Sequence, residues 1–470
     1  MTRILRLLSV PATGAGYAED MAALQVRHVP LGERYTAPAH TPGFRAIREV
    51  AEAVSIGIVL DTGQVAWGDC VGVSTGGPAG RDPVFRTRDG LAAIESVVAP
   101  ALEGRDLGSF RELAALVDGL GQARSHQDRE APPAAGPDVT DASRRALLSA
   151  PFRVLRAASR SEPDPTAERG RPPDGRLHSA VRYGASQALL AAVALDRGTT
   201  MAEVIAREWD LALPQRPVPL HADCGHELQH SAEKMIIRRV ASLPHALVDN
   251  VVEQVGLGGG DLTRYIRWLR DRIAALTGED YRPTIHLDLY GALGQICDQQ
   301  PGRMLGQIYG WTIAAAPYPL RLESPVLLDS REAQIEAMRA LKNYVGMRGL
   351  DVQLVADEWA HNLEDVRAFL EAGAADMIQV KMPDLGSIHN AVDALLACKA
   401  GGVGAFLGGS QAETDLSARA AVHVALAAQA DLLLARPGTG VDEAVSLVEN
   451  EMARTLATVR SRAWSEAPSP

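Results

Sequence analysis

Four short apolar segments between residues 285 and 381 decide the fold, and each delivers one acid or lysine. They are Ile285-His286-Leu287-Asp288-Leu289, Leu320-Arg321-Leu322-Glu323, Val355-Ala356-Asp357 and Ile378-Gln379-Val380-Lys381. Apolar and polar residues alternate in them with the period of two that is typical of a strand. We therefore predict four β-strands, with Asp288 and Glu323 opposite the leucines of their segments and with Gln379 on the same face as Lys381.

The spacing of these segments predicts a parallel barrel. Asp288 and Glu323 are 35 residues apart, Glu323 and Asp357 are 34 apart, and Asp357 and Lys381 are 24 apart. Such distances suit one strand, one helix and the next strand. The intervening residues repeat apolar side chains every three or four positions, as a helix does. We expect an α/β fold, a (β/α)8 TIM-type barrel, with the three acids and the lysine at the carboxyl ends of four consecutive strands, where barrel enzymes keep their active sites.

The other strands of the barrel are predicted on either side of this block. Strand one should follow the proline-rich residues 216–220, and strand two should lie at 243–248. Residues 404–409 and 431–434 supply strands seven and eight. The count reaches eight, which is the number that a TIM-type barrel needs.

The first half of the chain has a different pattern. Residues 55–60 and 65–70 are strand-like and are separated by an Asp-Thr-Gly turn. The glycine-rich residues 74–80 predict a mobile loop over a site. Residues 121–175 are rich in Arg, Ala, Pro, Ser and Asp, and we expect a largely disordered insertion with one short helix near 142–155.

Length and composition bound the class of protein. With 470 residues and a formal net charge of −11, the chain has room for two or three domains, and its acidic balance argues against a nucleic-acid partner. The four cysteines form no disulfide or zinc pattern, which favours a reduced cytoplasm. Arg6 interrupts the apolar start, so we expect a first strand there and not a signal peptide. No apolar run approaches the roughly 18 residues of a membrane span, so we expect a cytoplasmic protein without a membrane partner.

Three inward acids on neighbouring strands have the chemistry of a hard metal site. Carboxylate oxygens suit Mg²⁺ or Mn²⁺, with positions left for water and for a substrate oxygen. Three like charges would repel one another without a cation. Any one of Asp288, Glu323 and Asp357 alone would more often be a surface or salt-bridged acid. Their combined spacing favours the metal site.

Lys381 follows on the next strand beyond these acids. A lysine that is shielded from water beside a divalent cation has its charged form disfavoured, so we expect a lowered pKa and a role as a base. A lone lysine would otherwise be a solvated surface residue. His245 on strand two is either a second acid or base that faces Lys381 across the barrel, or a histidine of the core. A metal beside a base implies removal of a proton next to a carboxylate, which is the enolase-superfamily pattern.

At these residues the sequence resembles the methylaspartate ammonia-lyase family of the enolase superfamily, and the resemblance spans nearly the whole chain apart from residues 121–175. Matching stretches include Gly68-Asp69-Cys70, Arg182-Tyr183-Gly184, Leu243-Pro244-His245-Ala246-Leu247, His286-Leu287-Asp288-Leu289-Tyr290-Gly291 and Gln379-Val380-Lys381-Met382-Pro383-Asp384. The resemblance implies an α+β capping domain at residues 1–215 on a modified TIM barrel at residues 216–460. It also implies a homodimer.

The resemblance further implies the roles of the site residues. Mg²⁺ would be held by Asp288, Glu323 and Asp357. Lys381 would be the base that takes the C3 proton, and His245 would be a base or partner on the opposite face. Residue Gln379 would contact the metal-bound carboxylate of the substrate. The implied reaction is the reversible loss of ammonia from a 3-substituted aspartate.

The chain departs from the family in the substrate shell. Ser74 and Asp223 stand where the family has glutamines, and Ser410-Gln411 stands where the family has Thr-Cys. In the family these positions hold the amino group and its adjacent carboxylate. An anion at Asp223 in place of a neutral amide should repel a carboxylate and favour a cation or a donor. We therefore expect the same proton abstraction on an altered amino-acid or carboxylate substrate.

Two further functions stay open. The first is another enolase-superfamily reaction on a carboxylate, a dehydration or a racemisation or epimerisation, in which Lys381 and His245 work on opposite faces. The second is a non-catalytic barrel that serves as a binding or regulatory module. The complete set of Asp288, Glu323, Asp357 and Lys381 argues against the second.

Overall fold

The structure is a computed structural model that describes residues 2–26, 29–121, 175–436, 438 and 440–465. Its amino-terminal part contains one antiparallel sheet in the order β1-β2-β3. The strands are β1 (Ile4–Glu19), β2 (Arg48–Leu60) and β3 (Val65–Val71). The predicted first strand and the predicted hairpin are confirmed. Gly63, in the turn of that hairpin, has a φ of +83°, a conformation that glycine adopts without strain.

A closed barrel of eight parallel strands forms the carboxyl-terminal part, which confirms the predicted TIM-type barrel. In chain order its strands are β4 (Leu220–His221), β5 (Ser242–His245), β6 (Thr284–Asp288), β7 (Leu320–Glu323), β8 (Val352–Ala356), β9 (Met377–Lys381), β10 (Gly404–Gly408) and β11 (Leu432–Leu434). Each strand pairs with the next in the chain, and β11 closes the ring on β4.

Helices connect the strands and cover the barrel. In the amino-terminal half they span Met21–Val26, Thr87–Ala93, Ala99–Leu102, Phe110–Asp118, Ser179–Asp196 and Met201–Glu208. In the barrel half they span Leu228–Ile237, Val251–Gln254, Gly260–Leu276, Ala292–Ile296, Pro301–Ala315, Arg331–Met347, Leu363–Ala372, Met382–Leu385, Ile388–Ala400, Asp415–Ala428 and Val441–Ser465. No helix within the described residues is long and apolar enough to cross a bilayer.

Local sequence sets where the barrel helices begin and end. The side chains of Ser330, Asn362 and Thr414 accept hydrogen bonds from main-chain N–H groups in the first turns of the helices that follow them. Gly373 ends the helix Leu363–Ala372 in the left-handed region, with a φ of +60°. These caps fix the register of each helix, and so the direction in which each strand enters the barrel.

The helix Ser179–Asp196 packs directly on the sheet through two glycines. A Cβ atom on Gly184 would lie 2.4 Å from the main-chain nitrogen of Cys70, and one on Gly68 would lie 2.3 Å from the carbonyl oxygen of Gly184. Neither glycine can therefore carry a side chain without separating the helix from the sheet.

A helical pattern covers residues 183–209, but the structure has two helices there. Gly198, with a φ of +57°, interrupts the run. Thr200 and Glu203 then form a capping box that starts Met201–Glu208. A glycine in the left-handed region followed by a strong helix start outweighs the apolar periodicity.

The predicted insertion at residues 121–175 and its short helix near 142–155 lie outside the described residues, apart from the two ends. Gly121 and Arg176 form an antiparallel bridge. Residues 121 and 176 therefore lie side by side.

Candidate active site

Five predicted site residues meet at the carboxyl ends of consecutive barrel strands. His245 ends β5, Asp288 ends β6, Glu323 ends β7, Asp357 follows β8 directly, and Lys381 ends β9. The three acids and the lysine are each less than 10% exposed. The barrel register aligns Asp288 with Glu323. The parallel topology thus collects on one rim the groups that the sequence spreads over 137 positions.

His245 and Lys381 stand on opposite walls of the barrel. Their strands, β5 and β9, are four places apart in a ring of eight, so a molecule on the barrel axis lies between them. The His245 side chain is 12% exposed and that of Lys381 is 10% exposed. His245 therefore lies on the same rim of the barrel as the acids.

Asp288 and Glu323 form an electrostatically costly pair. Burial raises the pKa of Asp288 well above its ordinary value, and the Glu323 and Asp357 carboxylates raise it further. Burial likewise raises the pKa of Glu323 to about 8, although the charge of His245 opposes it. Glu323 accepts a hydrogen bond from His286 Nε2 at 2.7 Å and another from Gln379 Nε2. A positive charge between these neighbouring acids would stabilise their ionised forms and lower their pKa values.

Lys381 pairs directly with Asp357, and without a cation this ion pair sets the direction of its pKa shift. Lys381 Nζ lies 2.8 Å from Asp357 Oδ2. Burial lowers the pKa of Lys381, but Asp357 and the nearby Glu358 and Asp384 carboxylates outweigh it, so the pKa is raised and not lowered. The predicted lowering depends on a bound cation that competes for Asp357, so it stays a prediction for the metal-loaded site.

The acid cluster fits a divalent cation. Ligand atoms of His245, Asp288 and Glu323 lie within 4.8 Å of one another. Asp357 is not in that group, and its Oδ2 accepts a hydrogen bond from Lys381 Nζ. Its Oδ1 is buried and accepts no hydrogen bond from any described residue. An unsatisfied carboxylate oxygen beside two acids with raised pKa values is the donor set of a hard cation.

Arg81 links the amino-terminal part to this cluster and was missed as a site residue. It directly follows the glycine-rich residues 74–80, and its guanidinium contacts Glu358 at 2.8 Å, Asp384 at 2.9 Å and Asp357 at 3.5 Å. The loop predicted over the site is therefore attached to the barrel rim. A lone arginine directly after a glycine-rich loop was the available signal, but its three partners lie far away in the sequence.

Two buried histidines beside the acids were also missed. His221 ends β4 and stacks on His286 of β6 with ring centroids 4.4 Å apart. The alternation of side chains along a strand could have identified them. His221 and His286 stand two residues before Asp223 and Asp288, so each histidine lies on the same strand face as its aspartate.

The four altered substrate-shell residues form two hydrogen-bonded pairs. The Ser74 hydroxyl lies 2.8 Å from the Ser410 hydroxyl, and the Ser74 main-chain N–H donates to the same oxygen at 2.8 Å. Gln411 Nε2 donates to Asp223 Oδ2 at 2.6 Å. The structure therefore brings together residues from β3, β4 and β10 and their loops.

Gln379, expected to contact the substrate, donates to Glu323 here.

Models of two families match the chain over nearly its whole length. The model described as "Methylaspartate ammonia-lyase N-terminus" matches residues 2–131 and 144–210, and the model described as "Methylaspartate ammonia-lyase C-terminus" matches residues 212–461. Together they leave only short stretches unmatched. The expectation that residues 121–175 fall outside the resemblance was wrong, since the match omits only residues 132–143 of them.

Individual proteins match along their full length. Methylaspartate ammonia-lyase 2 of Carboxydothermus hydrogenoformans is 39% identical over 98% of this chain and 99% of its own. Methylaspartate ammonia-lyase of Clostridium tetanomorphum is 38% identical over 98% of this chain and 100% of its own.

Solved structures match the fold as well. β-Methylaspartase of C. tetanomorphum, described as an Mg-complex, superposes with a TM-score of 0.81 at 37% identity over 98% of this chain and 100% of that one. The Citrobacter amalonaticus enzyme containing (2S,3S)-3-methylaspartic acid gives 0.83 at 36% over 97% and 100%. Muconate lactonizing enzyme of Pseudomonas putida gives 0.55 at 13% over 90% of this chain and 84% of that one, which is a likeness of enolase-superfamily fold alone.

Proposed function

Because the chain belongs to the methylaspartate ammonia-lyase family, we propose that it is a carbon–nitrogen lyase that eliminates ammonia reversibly from a 3-substituted aspartate or a related amino acid. The observation that carries the proposal is the meeting of three acids with Lys381 on one wall and His245 on the opposite wall of the barrel. We also propose the division into a capping domain at residues 1–215 and a barrel at 216–460, which the boundary between the two family models supports.

Proton abstraction begins the proposed reaction. Lys381 or His245, in its unprotonated form, accepts the proton from the carbon next to a carboxylate, and the electron pair stays on the substrate as an enediolate. The pair then forms the carbon–carbon double bond as the carbon–nitrogen bond breaks, and ammonia leaves with the electrons of that bond. Because a base lies on each wall, a proton can be removed from either face of the substrate.

Asp288, Glu323 and Asp357 would hold the metal. Mg²⁺ is the proposed ion and Mn²⁺ the alternative, since both prefer oxygen ligands. When bound, the cation would supply positive charge that stabilises the enediolate, while Lys381 is held beside it by the Asp357 carboxylate. The C. tetanomorphum relative described as an Mg-complex supports this choice. Gln379, which already donates to Glu323, is proposed to contact the substrate carboxylate beside it.

We propose that the substrate differs from 3-methylaspartate at the end that Ser74, Asp223, Ser410 and Gln411 contact. The Asp223 carboxylate receives only neutral donors, the Gln411 amide and the Gly225 N–H at 2.9 Å, among the described residues. It therefore keeps its negative charge available to repel a second substrate carboxylate.

Ammonia release by purified protein tests this proposal. The protein is assayed with a panel of 3-methylaspartate, its amides and related amino acids. We expect it to turn over 3-methylaspartate more slowly than an authentic lyase does. The variant Asp223→Gln should improve turnover of 3-methylaspartate, and the matched exposed variant Asp271→Asn should not. Turnover of 3-methylaspartate as efficient as that of an authentic lyase would exclude the altered substrate, and no ammonia release from any member would exclude the lyase.

A second candidate function is a racemisation, epimerisation or dehydration of a carboxylate. The opposite placement of His245 and Lys381 favours it, because a proton can leave from one face and return to the other. Deuterium wash-in from D₂O without ammonia release would select this reaction.

The homodimer and the cytoplasmic location belong to the same proposal. The homodimer rests on the family resemblance, and sedimentation equilibrium tests it. The cytoplasmic location is supported by the four cysteines, which are all buried and free.

A further inference from the structure

A hydrogen-bonded chain leads through the barrel wall to His245. Nδ1 of His221 lies 3.1 Å from the Ser242 hydroxyl, and Nε2 of His221 lies 3.2 Å from Nδ1 of His245. The other nitrogen of His245, Nε2, points to the acid cluster and lies 3.7 Å from Asp288 Oδ2. The two nitrogens of His245 therefore have separate tasks, one facing His221 and one facing the site.

His221 is held as a neutral ring in one orientation. It is fully buried, stacks on His286, and meets Phe406 edge-on with ring centroids 5.4 Å apart. Burial lowers the pKa of His221 well below its ordinary value, while the main-chain oxygen of Ser242 favours a proton on the ring. A neutral imidazole has one N–H and one acceptor nitrogen. With Nδ1 directed at the oxygens of Ser242, the acceptor is Nε2.

We propose that His221 is a positioning residue that accepts a hydrogen bond from Nδ1–H of His245 and thereby leaves Nε2 of His245 free to accept a proton from the substrate. The hydrogen bond that one ring nitrogen makes decides which tautomer the other presents. Without the acceptor at position 221, His245 can place its proton on Nε2 beside the Asp288 carboxylate, and that tautomer has no lone pair on Nε2 to accept a proton from the substrate.

The catalytic consequence rests on the proposed function, in which His245 and Lys381 serve opposite faces. In the step at His245 a carbon–hydrogen bond breaks, the proton passes to Nε2, and the electron pair remains on the substrate. His221 touches neither substrate nor proton. Its loss should therefore affect the face served by His245 and spare the face served by Lys381.

The imidazoles of His221, His245 and His286 could instead bind a metal ion. Ligand nitrogens of His221, His245 and His286 lie within 4.8 Å of one another. A soft metal there would occupy the nitrogens that form the chain, so metal bound by these rings would overturn the proposal.

The first experiment observes the tautomer directly. Two-bond ¹⁵N–¹H correlation spectra of protein labelled at histidine should assign the proton of His245 to Nδ1 in the wild type. His221→Phe keeps the stacking on His286 and Phe406 but removes the acceptor, so the proton should shift to Nε2. His221→Asn restores an acceptor oxygen and should restore the wild-type pattern. An unchanged His245 pattern in His221→Phe, or zinc found on the rings by metal analysis, would overturn the proposal.

The second experiment measures deuterium wash-in to the two C3 epimers of 3-methylaspartate. The epimer served by His245 is the one whose exchange His245→Ala abolishes. His221→Phe should slow exchange of that epimer by about ten- to a hundredfold and leave exchange of the other epimer nearly unchanged. His221→Asn should restore the exchange rate, and the exposed control His230→Phe should not alter it. Equal slowing of both epimers would overturn the positioning role. If wild type exchanges neither epimer of 3-methylaspartate, the same variants are compared on the panel member that releases ammonia fastest; if no member is exchanged, the proposed function fails, and the spectra still decide the tautomer.

Discussion

Replacing Arg81 by methionine should destabilise the protein by about 3–5 kcal/mol, the usual cost of removing one partner of a buried ion pair. The Arg81 side chain is 1% exposed, and those of Glu358 and Asp384 are 2% and 4% exposed. Methionine fills much of the space of arginine but donates neither the hydrogen bond to Glu358 at 2.8 Å nor that to Asp384 at 2.9 Å. Two carboxylates would lose their shared cation, and their partial protonation would recover part of the cost.

Urea unfolding at neutral pH, followed by circular dichroism, measures this loss. The matched control is Arg88→Met, because Arg88 pairs with Asp89 at 3.2 Å while its side chain is 93% exposed. An exposed pair of that kind contributes at most about 1 kcal/mol. Arg81→Lys should fall between the two, since an ammonium cannot reach three carboxylates as a guanidinium fork does. If Arg81→Met unfolds at the same urea concentration as Arg88→Met, the ion-pair cluster does not hold the loop and the reasoning fails.

Two further predictions concern the base and the acid stability of the fold. Lys381→Ala should lower turnover at least about a hundredfold while calorimetric titration with Mn²⁺ gives a nearly unchanged affinity; full activity would remove Lys381 from the mechanism. His423, Arg454 and Arg419 hold the pKa of Glu451 at about 2 against burial, so its stabilisation is complete above the pKa of the unfolded chain and is lost as pH falls toward about 2. Glu451→Gln should therefore be less stable than the wild type by about 1–2 kcal/mol at neutral pH, and urea midpoints should converge in acid; a gap independent of pH would contradict this.

The barrel and the placement of the acids could be predicted because they depend on local patterns. Period-two alternation fixes which side chains share a face, and parallel strands align their carboxyl ends, so Asp288, Glu323 and Lys381 had to meet. The helices between them follow from apolar periodicity and capping residues in the same stretch of chain.

What the sequence could not provide depends on contacts between distant residues. Ser74 meets Ser410 across 336 positions, and Arg81 meets Glu358 across 277. No local pattern encodes either contact. The direct ion pair between Lys381 and Asp357 escapes sequence analysis for a related reason, because it depends on side-chain orientation; without a cation it outweighs burial and raises the pKa of Lys381.

Anomalous diffraction from crystals soaked in Mn²⁺ tests the central claim most directly. We expect one strong peak on the barrel axis at about 2.0–2.3 Å from carboxylate oxygens of Asp288, Glu323 and Asp357, with Lys381 Nζ beside it but not bound to it. A site without a peak at saturating Mn²⁺, or a peak bound by His221, His245 and His286 alone, would contradict it.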